Sequence, residues 1–360
     1  DNQRRKMSKS LGNSPDALKL IENYGADGVR FGVLSSAAAG NDIVFDAPTD
    51  PKTKEVLNES KLCEQGRNFC NKIWNAIRLV KGWELKEGRN KDNDATIAWF
   101  ESKLNEVVAS LDDMYDKYRL SEVTMTVYNF IWNDFFSTYL ELIKPEYQKP
   151  IDEYTYHKTI GFFETLMKLL HPFMPFITEE AYHQLGERAA NDCVCVATYP
   201  IAGSSNKMAI AKGEAAKAIL SKVRDIRNKN GLKQRELLDF SVKTDQPEFY
   251  AEFETTLKSK AYLSSFTVVT TDVPNAVSFL VGQDTFFVGI GDRIDLGEEK
   301  ERLEKELLYN KGFQAKTLKK LSNERFVGNA PAAVIDRERQ KLADAEAKIK
   351  SLEESLAKLN

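Results

Sequence analysis

After Pro48 and Pro51 the chain keeps an apolar pattern of helical period for about 150 residues, with few glycines and none of the alternation a half-buried strand needs. That run dictates a helix bundle. Leu57, Cys63, Phe69, Cys70, Ile73, Trp74, Ile77 and Leu79 supply the apolar side of a first helix, closed by Gly82 and the polar run from Lys86 to Asp94. A second helix runs from about Asp94 to Lys117. A third, Arg119 to Lys144, is apolar around most of its circumference, which predicts a buried central helix. The spacing assigns Trp74, Phe130, Trp132, Phe135 and Phe136 to the core. Pro145 and Pro150 end the third helix, a fourth fills Asp152 to Leu170 before His171-Pro172, and a fifth begins near Thr178 and ends near Gly186.

The flanks differ in texture. Ahead of the bundle, a lysine-rich loop meets Ser14, a good N-cap before Pro15, and a short helix then runs to Gly25. Residues 26 to 39 form a second short helix packed closely through small side chains, with an extended exit over Asn41 to Phe45. Beyond the bundle, Cys193 to Tyr199 reads as extended, with Cys193 and Cys195 on one face, and Pro200, Gly203 and Ser204 read as a linker. A helix over Lys207 to Lys229 and strands over Leu237–Val242, Ser265–Val269 and Thr285–Ile290 make a small α+β subdomain. Last, Ile335, Glu338, Leu342, Ala345, Ile349, Leu352, Leu356 and Leu359 recur three and four apart, a coiled-coil seam. Leu303, Leu307, Asn310, Gln314, Thr317 and Leu321 keep that spacing with half the seam polar. The breaker Phe326 to Pro331 between them predicts an antiparallel coiled-coil hairpin. The expected fold class is therefore mainly α: bundle, small α+β subdomain and terminal hairpin, divided as residues 1–46, 47–200, 201–293 and 294–360.

Composition narrows the function classes. No stretch approaches eighteen consecutive apolar residues, and the first residues lack the apolar core of a signal peptide, so a cytoplasmic protein is expected. Four cysteines and three scattered histidines form neither a disulfide framework nor a metal site, and all four are read as reduced thiols. A net charge of −3 excludes a uniformly basic nucleic-acid binder but not a local basic face. Opening on Asp1 predicts a piece of a longer protein.

Chemistry concentrates in Lys6-Met7-Ser8-Lys9-Ser10. Two ammonium groups and two hydroxyls, on a loop that runs into a helix, suit a polyphosphate whose charge must be neutralised during displacement. A chain of this length matches the whole pentapeptide by chance about once in ten thousand. The segment resembles the KMSKS signature of class I aminoacyl-tRNA synthetases. Leu11-Gly12-Asn13 and Tyr24 to Phe31 are similar to the stretch after that motif in the valine, isoleucine and leucine branch. Asn71 to Ala76, Leu140 to Lys144 and His171 to Glu180 resemble that branch's anticodon-binding bundle, and Phe326 to Ile335 resembles the turn of the C-terminal coiled coil of valyl-tRNA synthetases. The resemblance covers essentially the whole chain.

It implies an enzyme that activates valine with ATP and transfers it to tRNA(Val). In that scheme Lys6 and Lys9 are the catalytic residues, with Lys6, Ser8, Lys9 and Ser10 on the ATP phosphates, Mg2+ arriving with ATP and no metal held by the chain itself. Gly12 is the expected pivot of a mobile loop. No HxGH motif occurs, so the chain alone is expected to be inactive as a monomer that holds neither the adenosine nor the valine pocket. A non-catalytic tRNA-binding module and the equivalent region of an isoleucyl enzyme are the alternative readings.

Three surfaces are candidates for RNA. Arg67, Asn71, Asn75 and Arg78 share one side of the first bundle helix, and Asn and Arg are suited to the edges of unpaired bases. Lys222, Arg224, Arg227, Lys229, Lys233 and Arg235 form a basic run that either tracks phosphates or faces solvent. Lys319, Lys320, Arg325 and Arg337 cluster towards the hairpin turn, as tRNA contacts or as charges flanking the seam. His171 is read as a helix-end hydrogen-bond partner, and Glu179 and Glu180 as first-turn carboxylates of a helix.

Overall fold

A computed structural model describes residues 1, 3–38, 40–189, 191–290, 296–323 and 332–359, in two compact units, 1–210 and 211–360. Arg325 and the Phe326–Pro331 breaker lie outside the described residues. In the first unit, Asp16 rather than Ser14 opens α1 (Ala17–Ser36), accepting from the amides of Leu18 and Lys19. Its charge adds to its hydrogen bonds at a helix N-terminus, whereas Ser14 turns to the Pro15 carbonyl. α1 bends at Gly25 (φ 74°, ψ 158°), giving the expected two halves.

The second half lies against α2 (Lys61–Lys81), which Ser60 caps through the Cys63 amide, leaving Leu57 ahead of the helix. Here the backbones touch: a Cβ on Gly66 would stand 2.8 Å from the Gly28 carbonyl oxygen and 2.9 Å from its Cα. Only glycine permits that approach. Phe31 and Phe69, both fully buried, meet Tyr128 at 5.3 and 4.8 Å beside this contact.

β1 (Leu85–Lys86), at the start of the run read as polar closure, pairs in parallel with β2 (Ile151–Asp152). α3 (Asp94–Asp116) presents Phe100 to the bundle centre. The predicted single third helix is α4 (Leu120–Asn129), a π-helical stretch (Phe130–Tyr139) and α5 (Leu140–Ile143). The wider i→i+5 register brings Phe130, Phe135 and Tyr139 to the one ring of Phe100, at 5.1, 5.3 and 4.7 Å. Ser137 and Thr138 hydroxyls bond the carbonyls of Trp132 and Asn133 in the same register. α6 (Glu153–Leu170) comes next, capped by Asp152. α7 (Pro175–Leu185) begins ahead of the expected Thr178, with proline in its first turn. Val194–Val196 is a 3-10 turn rather than part of an extended run.

The second unit holds most of α8 (Lys207–Lys229), which carries Arg227 on its buried side. A four-stranded sheet has the order β4-β3-β6-β5, from β3 (Asp239–Lys243), β4 (Thr267–Val268), β5 (Ala276–Val281) and β6 (Asp284–Gly289). α9 (Glu248–Ala251) and α10 (Glu254–Ala261) lie between β3 and β4. β5 is an addition to the three strands expected from the sequence. It pairs with β6 through a two-residue loop opened by Gly282 at φ 62°. α11 (Leu296–Leu321) and α12 (Ala332–Leu359) pack antiparallel, tied by Lys311–Glu353 at 2.6 Å and Lys320–Glu338 at 3.1 Å. Leu303, Ala345, Ile349 and Leu352 are buried between them. The polar seam residues Asn310 and Thr317, also buried, bond the carbonyls of Glu306 and Phe313 one turn back.

Arg227 is 4% exposed and donates to the carbonyls of Lys233 (3.0 Å), Ala261 (2.7 Å) and Tyr262 (3.0 Å). The structure thus removes it from the exposed basic run and makes it the joint between α8 and the end of α10. Arg227→Ala removes a buried three-way donor, although the Lys233 and Tyr262 carbonyls keep the amides of Glu236 and Leu238, and should cost about 2–4 kcal/mol in urea unfolding, against under ~0.5 kcal/mol for exposed Arg224→Ala. Equal costs would contradict this placement.

Candidate functional site

The lysine loop is built by short polar contacts. Ser8, extended at φ −153°, caps a 3-10 turn (Lys9–Leu11) by accepting from the Leu11 amide at 3.2 Å. Gly12 ends that turn at φ 61°, and a Cβ placed there would meet nothing within 4 Å, so the requirement for glycine is backbone conformation and not space. The Ser8 and Ser10 hydroxyls lie 3.2 Å apart. Asn13, 4% exposed, is the residue that sequence reasoning passes over: its Oδ1 accepts from the Ser8 amide at 2.9 Å and its Nδ2 donates to the Lys6 carbonyl at 3.2 Å. A single side chain thus closes the loop from both ends. Lys6 and Lys9 are exposed, and neither enters an ion pair among the described residues. The arrangement sets Lys9 in the turn and Lys6 on the segment leading into it, two cations whose charge can neutralise a polyphosphate.

On α2 the four predicted residues separate. Arg67 is half-buried and committed to its surroundings: it donates to the Asn23 carbonyl, pairs with Glu64 at 3.6 Å and lies 5.4 Å from the Tyr24 ring centre. Asn71, Asn75 and Arg78 are exposed on one side. Trp74, assigned to the core, stands among them at 37% exposure, while Phe130, Phe135 and Phe136 are buried and Trp132 is half-buried. The phase of α2 explains the exception. Its buried positions are Cys63, Gly66, Phe69, Ile73, Ala76, Ile77 and Val80, and Trp74 falls outside that stripe. The exposed face therefore carries a flat aromatic ring beside amide and guanidinium groups, the side-chain types that stack on bases and bond their edges.

Two further residues hold this region together. Asp27 on α1 accepts from the amides of Ile177 at 2.6 Å and Phe176 at 3.3 Å, capping α7, whose own N-cap position is Met174. Burial pushes the Asp27 carboxyl up against the opposing pull of those two amides and of Arg30. Arg30 donates to the carbonyls of Phe173 and Pro172. The segments Tyr24–Phe31 and His171–Glu180, distant in sequence, are thus bonded to each other. Their signal in the sequence is a buried-side Asp-x-x-Arg pair amid glycines. His171 bonds Thr178 through Nδ1 at 2.8 Å, and burial keeps its pKa low, as fits a helix-end partner. Glu179 and Glu180 lie past the first turn of α7. Glu179 pairs with His183 and accepts from the Val194 amide, and Glu180 accepts from Gln184.

Of the remaining cations, Arg224 is exposed on α8, and Lys319 and Arg337 are exposed on α11 and α12. Lys320 is engaged with Glu338, whose carboxyl Lys341 and Lys320 together hold below its usual range. No group of three or more His, Cys, Asp or Glu side chains among the described residues is placed to hold a metal, and no described helix is long and apolar enough to cross a membrane.

Comparison with known proteins gives three family matches: tRNA synthetases class I (I, L, M and V) over residues 1–46, the anticodon-binding domain of tRNA ligase over 98–242, and the valyl tRNA synthetase tRNA binding arm over 295–360. The chain is 48% identical over 359 residues to a valine–tRNA ligase of Bacteroides thetaiotaomicron, 99% of this chain and 39% of that protein. It is 47% identical to that of Phocaeicola vulgatus over 99% of this chain and 39% of that protein. The valine–tRNA ligase of Symbiobacterium thermophilum is 32% identical over 100% of this chain and 42% of its own length. The chain thus spans about two fifths of these relatives. A solved ternary complex of LeuRS, tRNA and LeuAMS from Agrobacterium radiobacter K84 shares 19% identity over 58% of this chain and 23% of that one, at a TM-score of 0.39, too distant to bear on the fold.

Asn13→Ala removes both an acceptor and a donor from the lysine loop. Hydrogen exchange at the Ser8 amide should accelerate at least ~10-fold, about 1.4 kcal/mol of lost protection, with α1 unchanged. Unaltered exchange at Ser8 would show that the loop is not closed by Asn13.

Proposed function

From a chain that belongs to the valine–tRNA ligase family of class I tRNA synthetases, we propose that residues 1–46 supply a phosphate loop, 47–200 an anticodon-binding bundle, 201–293 a small α+β subdomain and 294–360 a tRNA-binding arm. The whole enzyme activates valine with ATP and transfers it to tRNA(Val). The valine carboxylate attacks the α-phosphate, pyrophosphate leaves, and the aminoacyl group passes to the terminal ribose. As pyrophosphate leaves, the Lys6 and Lys9 ammonium groups neutralise its growing charge, Lys9 the more strongly. Ser8 caps the turn that carries Lys9, Lys6 lies on the segment just ahead of it, and Ser10 offers its hydroxyl to a phosphate oxygen. The donors of this loop are ammonium and hydroxyl groups, which suit phosphate oxygens and not a cation, so Mg2+ belongs with ATP rather than with the chain. We place the valine pocket in the length of the relatives that this chain does not span. The chain by itself binds tRNA without charging it, as a cytoplasmic monomer.

The observation that carries this reading is the junction of α1 and α2. The loop with both cations leads directly into α1, and α1 lies backbone to backbone on the helix that bears Asn71, Trp74, Asn75 and Arg78. We assign that face to unpaired anticodon bases, and Arg224, Lys319 and Arg337 to the phosphate backbone.

Binding of a tRNA(Val) transcript to this chain at several salt concentrations tests the assignment. Trp74→Ala should weaken binding by about 1–3 kcal/mol, roughly 5- to 150-fold, with the salt slope unchanged. Lys319→Glu with Arg337→Glu should weaken it and flatten the slope by about one or more units. A tRNA(Val) carrying the isoleucine anticodon should bind more weakly; preference for that transcript would favour the isoleucyl reading. Binding indifferent to all these changes would overturn the proposal.

A further inference from the structure

Two thiols lie outside both the lysine loop and the RNA-facing surfaces. Past the end of α7, Arg188 lies 3.3 Å from the Tyr182 ring centre and pairs with Glu164 and Asp192, and Asp192 also accepts from the Tyr182 hydroxyl. The chain then enters the Val194–Val196 turn. Val194 is 5% exposed and its amide donates to Glu179 at 3.0 Å, while the Ala197 amide closes the turn on the Val194 carbonyl at 3.0 Å. Cys193 and Cys195 flank this anchored valine, the first half-buried and the second exposed, with their Sγ atoms 3.2 Å apart.

That separation is a product of the turn. On an extended strand, side chains two residues apart share a face but stand about 6.7 Å apart. The 3-10 turn halves the distance, and the buried Val194 with its bond to Glu179 holds the turn in place. A disulfide bond is about 2.04 Å long, so the sulfurs need to approach by only about 1.2 Å. The other two thiols are unlike these. Cys63 is fully buried and burial pushes the Cys70 thiol up to about 12, whereas the Cys195 thiol, raised by its hydrogen bond with Cys193, is exposed to a co-substrate.

We propose that Cys193 and Cys195 form a thiol–disulfide exchange site whose co-substrate is a low-molecular-weight disulfide, RSSR. The exposed Cys195, as its thiolate, attacks one sulfur of RSSR. The S–S bond of RSSR breaks, RS− departs and takes up the proton that Cys195 gave to solvent, and a Cys195–S–S–R mixed disulfide remains. The Cys193 thiolate then attacks the Cys195 sulfur, the bond from Cys195 to SR breaks, and a second RSH leaves with the proton from Cys193. Two protein thiols are oxidised to one disulfide, and one small disulfide is reduced to two thiols. The second step is intramolecular between groups already in contact, so the mixed disulfide does not accumulate. The product closes a small ring at an exposed position, the kind of disulfide that thiols readily reduce again.

The test uses the whole chain in glutathione disulfide, quenched with acid and digested with trypsin. Residues 189–207 then form a peptide holding Cys193, Cys195 and no other cysteine. The expected product is this peptide lighter by two hydrogens, restored to the dithiol by reduced glutathione, with Cys63 and Cys70 still thiols. In Cys193→Ser the glutathione adduct on Cys195 should accumulate on the order of ten-fold or more above its level in the unaltered chain, since nothing resolves it. The proposal falls if the peptide stays a dithiol where free dithiothreitol is oxidised, or if adduct builds up equally in both proteins. The first comparison needs no substitution, and a far-UV spectrum establishes that the variant is folded.

Discussion

The contact of Gly28 with Gly66 is the constraint on which the first unit depends. With side chains at either position the two helices would stand apart, because a Cβ on Gly66 meets backbone and not a yielding side chain. With glycine at both, α1 and α2 share one wall, and Phe31, Phe69 and Tyr128 close over it. The lysine loop and the exposed face of α2 are thereby fixed through rigid elements, which serves recognition better than a flexible linker would.

Polar contacts then lock what the glycines bring together. Asp27 and Arg30 leave the same helix, Asp27 accepting from amides in the first turn of α7 and Arg30 donating to carbonyls of the turn before it. An anion at a helix start and a cation at the carbonyls of the preceding turn each meet the opposite partial charge, which offsets part of the burial that raises the Asp27 carboxyl. Asn13 has the same effect on a smaller scale in the lysine loop. In the second unit Arg227 plays that part, gathering the carbonyls of Lys233, Ala261 and Tyr262.

Much of this is legible in the linear sequence, and the misses have physical causes. The lysine motif, the bundle helices and the terminal seam are local patterns, and local patterns survive in a linear string. Trp74 and Arg227 are readable but easily misassigned: residue type outweighs helical phase, which puts the tryptophan outside the buried stripe and the arginine one turn after buried Val223. The π-helical register has no such trace, since its residues fit an α-helix equally well and only the packing around Phe100 distinguishes the two. Nor can spacing reveal the Gly28–Gly66 contact, the reach of Asn13 or the approach of Cys193 to Cys195, each of which depends on how the backbone closes in space.

The central claim is that the face of α2 opposite its buried stripe meets the unpaired bases of tRNA(Val). Photo-cross-linking of tRNA(Val) carrying thiouridine in its anticodon loop, followed by peptide mapping, tests it most directly. Adducts are expected on the peptide that contains Trp74 and Asn75. Adducts confined to other helices, with that peptide unmodified in a complex shown to be bound, would contradict it.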